Sequence, residues 1–144
     1  MTHIAMIADM LGGVRILKHR IQRESDLERA VCDGLPVQAV RALAENTSTT
    51  LTALQDVASI DRSTFARRVR SGARLKTDES DRIVRVARIA ALTISALGRE
   101  DGLAWLHESN RALGERVPID LLETEVGARQ VEQIIGRIEH GVFS

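Results

Sequence analysis

A chain of 144 residues is long enough for one compact domain, or for two very small ones sharing a core. Apolar residues make up 44%, too many for a disordered chain, and Phe65, Trp105 and Phe143 are the only aromatics, so the core must be aliphatic. Formal net charge is zero, but residues 61–76 hold six basic residues against Asp61 alone, a local +5 that the rest of the chain balances with −5. Such a basic island points to a partner more directly than the total charge does.

The opening Met1-Thr2-His3-Ile4 has no basic run ahead of an apolar stretch, so no signal peptide is expected. Ile4, Ile7, Leu11 and Val14 outline a short helix ending at Gly12-Gly13; residues 14–23 fit either an extended arm or a frayed helix. A helix from about Asp26 to Asp33 follows, with Ser25 and Glu28 at capping-box spacing and Gly34 at its end. Cys32 falls in an apolar register and reads as a core residue. A lone cysteine fits a reducing cytoplasm.

Pro36 fits the first position of the next helix, which carries Val37, Val40, Leu43 and Ala44 on one face to about Glu45. The polar run 46–50 reads as a loop. Thr52 and Gln55 have capping-box spacing for a helix to about Ala58; Asp61 caps another through about Arg70, and Ser71-Gly72 ends it. The longest helix is expected over about Asp78–Leu97, with Asp78, Glu79 and Asp81 suiting the dipole of its first turn. Its apolar run from Ile83 to Leu97 is broken by Arg85 and Arg88 and is too short to span a bilayer. A short helix holds Leu103, Trp105 and Leu106. A loop with Gly114 and Pro118 follows, and a last helix from near Thr124 carries Val131, Ile134, Ile135 and Ile138 to Gly141.

Residues 51–72 carry the strongest chemical signal. Two short helices joined by a tight connection, the second rich in arginine, have the layout of a helix-turn-helix, whose second helix enters the major groove. Leu51, Leu54, Val57, Ala58, Ile60, Phe65 and Val69 supply its inner face. Arg62, Ser63, Thr64, Arg67 and Arg68 face outward, where arginine can grip guanine O6 and N7 with two parallel donors. Arg70, Arg74 and Lys76 are better placed for phosphates, and one of Arg67 and Arg68 is expected to brace an acidic neighbour such as Asp61 or Glu79. Helix-turn-helix units often carry a small residue where Gln55 sits and glycine where Ser59 sits.

In this order and spacing the motifs resemble the Xre/MbcA/ParS antitoxins paired with RES-domain toxins. The resemblance runs from about Leu11 to Ser144. It rests on Gly34-Leu35-Pro36, Arg67-Arg68, Glu79-Ser80-Asp81-Arg82, Trp105-Leu106, Leu113-Gly114, Pro118 to Leu122, Thr124, Gly127-Ala128, Val131-Glu132 and Gly136 to Phe143. Glu115 departs from it, since the family often has a second glycine after Gly114. The resemblance implies an all-α protein in three parts: an N-terminal arm and helix (1–33), a helix-turn-helix domain (34–77) and a helical toxin-binding domain (78–144). It implies a toxin partner that degrades NAD, operator DNA bound for autoregulation, and antitoxin dimers within a hetero-oligomer. Toxin contacts are expected at Arg129, Glu132, Gln133, Arg137, His140, Phe143 and the terminal carboxylate of Ser144.

Catalysis finds no support: His3, His19, His107 and His140 have no ligand spacing, and Gly12-Gly13 is followed by no Gly-Lys-Ser/Thr. No metal, cofactor or membrane partner is expected. The rival reading is a stand-alone transcriptional regulator that uses its C-terminal half to dimerise.

Overall fold

The computed structural model describes residues 3–141, and these form helices throughout, with no strand among them. In chain order they are α1 (His3–Met10), α2 (Gly13–Leu17), α3 (Glu24–Asp33), α4 (Val37–Asn46), α5 (Leu51–Ala58), α6 (Arg62–Ser71), α7 (Thr77–Leu97), α8 (Arg99–His107) and α9 (Glu125–Glu139). Two 3-10 turns, Arg111–Leu113 and Pro118–Glu123, lie between α8 and α9.

α7 is the axis. Ile83, Val84, Val86, Ala87, Ile89, Ala90 and Ala91 are buried around most of its circumference, as its wide apolar stripe requires. α8, α9, α1 and α3 pack against it. Ile7, Leu11, Leu17 and Ile21 are buried in the same core, so residues 14–23 are not an extended arm; they form α2 and a connection that is packed down. No described helix is long and apolar enough to cross a membrane.

Several helix starts differ from the sequence expectation. The carboxylate reaching back at α3 is Asp26, which accepts from the Gln22 and Arg23 backbone N–H groups at 2.9 and 3.1 Å; Glu28 does not take that role. The Thr50 hydroxyl caps α5 by accepting from Ala53 N–H at 3.1 Å, two residues earlier than a Thr52–Gln55 box, and Gln55 is buried instead. Pro36 precedes α4 as its N-cap. Clustered short polar residues offer several caps in neighbouring positions, and the docking of the apolar face selects among them. Asp61 and Thr124 do cap their helices, accepting from Thr64 N–H at 3.1 Å and Gly127 N–H at 3.0 Å. Cys32 is exposed, contrary to its apolar register.

Ser59 and Glu115, the two positions where the sequence departs from an expected glycine, both take left-handed backbone, with φ of 56° and 65°. The fold keeps the glycine conformation at both while carrying a side chain that makes it costly. The Ser59 hydroxyl donates to Glu123 at 3.3 Å, a bond glycine cannot make.

Three carboxylates sit below their ordinary range. Hydrogen bonding to Arg88 lowers Glu24, backbone N–H groups lower Asp26, and the Ser63 hydroxyl followed by Thr64 N–H lowers Asp61. The folded chain therefore binds fewer protons than the unfolded one in the acid range. Their contribution is complete above the unfolded values near pH 4 and is lost as pH falls through the lowered ones. The urea midpoint is expected to fall on acidification below about pH 4; a midpoint that rose there would contradict these assignments.

Candidate nucleic-acid and protein interfaces

α5, the turn 59–61 and α6 build one unit. Leu54, Val57, Ala58, Ile60 and Phe65 are buried together, and Leu51 and Val69 pack against them. With Phe65 inward, the 100° helical step places Ser63, Arg67 and Arg70 opposite the core, flanked by Ala66 and Ser71; all five are exposed.

The candidate DNA-facing side chains divide by what they already hold. The Arg68 side chain is only 11% exposed and its guanidinium pairs with Glu79, whose side chain is 9% exposed. Glu79 also accepts from Lys76 N–H at 2.8 Å, so one carboxylate caps α7 and clamps α6 to it. Arg74 donates to the Gly34 carbonyl at 2.9 Å. Arg62 meets Asp56 at 3.3 Å, a solvated pair that constrains it little. The Ser63 and Thr64 hydroxyls donate to the capping carboxylate of Asp61, and Arg67 Nη2 donates to Thr64 Oγ1 at 3.2 Å. Thr64, Arg67, Arg70, Ser71 and Lys76 line one open depression. The basic island thus resolves into a clamp at Arg68, a brace at Arg74 and an outward ridge centred on Arg67 and Arg70.

The chain segment before α4 is held against this unit. Leu35 N–H donates to Ser80 Oγ at 2.9 Å, and Leu75 N–H to the Leu35 carbonyl at 2.9 Å. A Cβ on Gly34 would stand 2.3 Å from the Leu75 carbonyl oxygen, and its φ is +88°, so only glycine fits this crossing.

Sequence reading passed over a row of arginines on α7, where Arg85 and Arg88 figured only as breaks in an apolar run. Arg82 donates to the Ala58 carbonyl at 3.0 Å, closing the carboxyl end of α5. Arg85 donates to the Leu122 and Glu123 carbonyls at 3.3 and 3.2 Å and pairs with Asp81 and Glu125. Arg88 grips Glu24 through two bonds of 3.1 and 3.3 Å. The spacing of three along one helix was the available signal: it puts all three on one side.

α9 buries Gly127, Ala128, Val131 and Ile135. The same helical step sends Arg129, Gln133, Arg137 and His140 away from the core, with Glu132 on the flank, and all five are exposed. Arg129 pairs with Glu125 at 3.3 Å. Arg129 and Glu132 join Asp81, Arg85 and Arg88 along a groove between α9 and α7, while Gln133, Arg137 and His140 continue outward along the helix. Val126, an apolar residue 68% exposed, begins that outward stripe and was missed because one valine carries no periodic signal. Phe143 and Ser144 lie outside the described residues. Among the described residues no cluster of His, Cys, Asp or Glu could hold a metal ion.

Two family models match the chain. The antitoxin Xre-like helix-turn-helix domain matches residues 26–88, and the antitoxin Xre/MbcA/ParS C-terminal toxin-binding domain matches residues 92–141. The first therefore takes in α6 and much of α7, and the second takes in α9. Relatives named Antitoxin Xre occur in Yersinia enterocolitica, 44% identical over 85 residues, and Photorhabdus laumondii, 33% identical over 114 residues. The first match spans 58% of this chain and 57% of the relative; the second spans 78% and 77%. A third, from Pseudomonas putida, is 27% identical over 95% of this chain and 92% of its own length.

Proposed function

Because the chain belongs to the Xre-type antitoxins, we propose that it neutralises a cognate RES-domain toxin, an NAD-degrading enzyme, while its helix-turn-helix binds operator DNA and represses the shared operon. In this reading the protein is itself no enzyme. It works in the cytoplasm as a homodimer within a hetero-oligomer, with the outward stripe of α9 and the carboxyl end closing the toxin's active site. One observation carries it: two different exposed polar faces, basic on α6 and mixed on α9, are presented from a single aliphatic core. The family's helix-turn-helix and toxin-binding models fall on those two regions respectively.

Removing residues 137–144 is expected to abolish toxin neutralisation, read as loss of growth rescue on co-expression with a neighbouring RES-type reading frame. Operator binding in a gel-shift assay should persist. The deletion starts near the end of α9 and leaves Val131 and Ile135 in place, so the core is preserved. Equal loss of both activities would show the carboxyl end to be structural and would sink the proposal.

A further inference from the structure

We infer that a second basic surface, formed by Arg15, Lys18, His19 and Arg20, binds the phosphate backbone of duplex DNA beyond the stretch reached from α6. This rests on the DNA-binding reading above and adds to it a contact made outside the helix-turn-helix.

Residues 14–23 contain Arg15, Lys18, Arg20 and Arg23 and no carboxylate. They form an island of +4 to set beside the +5 of residues 61–76, so the rest of a neutral chain carries −9. They precede the residues matched by the family's helix-turn-helix model, which begin at 26. The fold makes this segment project its charges. Leu17 and Ile21 are buried and pin the chain on both sides. Between them α2 ends at Lys18, whose N–H donates to the Val14 carbonyl at 2.7 Å and whose φ is 66°. Lys18, His19 and Arg20 are thereby left as three consecutive exposed basic side chains. Arg82, Arg85 and Arg88 all spend their guanidinium groups inside the chain. The side chains of Arg15, Lys18, His19 and Arg20 have no hydrogen-bond or ion-pair partner among the described residues.

The tertiary structure brings this island against the basic end of α6, more than 50 residues away in the chain. His19 and Arg74 line one depression with Gly34, Leu35 and Pro36. An adjoining depression shares Leu17, His19 and Asp33 with it and leads on to Arg20 and Arg29. On the other side Ala73, the neighbour of Arg74, lines the depression of Arg67, Arg70 and Lys76. A basic track therefore runs from the outward ridge of α6 past Arg74 to His19 and Arg20. Two carboxylates border its far end. Asp26 is taken by the Gln22 and Arg23 backbone N–H groups, and Asp33 is one charge against Arg20, Arg29 and Arg74.

A duplex that holds α6 in its major groove carries a phosphate strand along each side of that groove, with one charge per roughly 3.4 Å of axis on each strand. A row of basic side chains continuing from the end of the groove-facing helix matches such a strand. Flexible stems without fixed partners suit phosphates, which position a protein through charge and carry no sequence to be read.

The test uses the full-length chain and the DNA upstream of its own reading frame, with affinity measured between about 50 and 200 mM salt. Lys18→Gln with Arg20→Gln is expected to lower affinity roughly tenfold to a hundredfold near 0.1 M salt and to reduce the salt slope by about two, alike for this duplex and an unrelated one. Lys18→Arg with Arg20→Lys keeps both charges and should keep the parental slope. Both residues are exposed, so thermal midpoints should stay at the parent's value. Trimming the duplex stepwise reads the place of the contact: the parent should lose affinity at a length where the glutamine variant loses none. An unchanged slope in the glutamine variant, the same length dependence in both proteins, or a loss that persists when the charges are kept overturns the assignment, while binding through α6 stands. Loss of toxin neutralisation with an unchanged slope gives the surface to the toxin and overturns it as well. If the parent shows no salt-dependent binding to any duplex, the DNA-binding reading itself falls, and this one with it.

Discussion

Glu79→Ala is expected to destabilise the full-length chain by about 3–5 kcal/mol, because it strands a buried guanidinium. Arg68 and Glu79 are both nearly excluded from solvent, and Glu79 additionally takes the Lys76 N–H that opens α7. Removing the carboxylate leaves one uncompensated charge and one orphan donor at the joint between α6 and α7. The matched double replacement, Arg68→Met with Glu79→Met, removes both charges and should cost only about 1 kcal/mol, the worth of the lost cap. Urea denaturation of the two variants separates the terms. A single variant within about 1 kcal/mol of the parent would mean that Arg68 can swing out to water, and that the clamp positioning α6 is not one.

Gly127→Ala is expected to unseat α9 and cost about 2–4 kcal/mol, combining overpacking with the loss of a helix cap. A Cβ there would sit 2.0 Å from the Leu121 carbonyl oxygen and 3.0 Å from Thr124 Oγ1. The first obstacle is backbone and cannot rotate aside. The second is the hydroxyl that accepts from Gly127 N–H, so the cap is broken whichever way the helix moves. Gly136 is the internal control: it lies on the same helix with nothing within 4 Å of its would-be Cβ. Gly136→Ala should therefore stabilise by about 0.5–1 kcal/mol, through the lower conformational freedom of alanine in the unfolded chain. Under the proposed function, Gly127→Ala should also lose toxin neutralisation before operator binding. Equal thermal midpoints for the two alanine variants would show that the close approach at Leu121 relaxes without cost.

Helical class, the order of the helices and the helix-turn-helix were legible in the sequence because each is a local property. Leu54, Val57, Ile60, Phe65 and Val69 mark their own inner face by spacing alone, and Asp61 and Thr124 announce helix starts within three residues of the donors they accept from. The outward stripe of α9 followed from the same periodicity.

What the linear order could not decide was where long charged side chains would end. Arg68 finds Glu79 eleven residues on, Arg74 reaches Gly34 across 40, and Arg88 reaches Glu24 across 64. A guanidinium on a flexible stem can choose among any acceptors within its reach, and only the packed backbone brings one of them near. The packing of α1 and α2 onto α7 is of the same kind. Their few apolar residues carry too weak a periodic signal to mark a packed segment, and it is the uncovered side of α7 that gives them a place to bury.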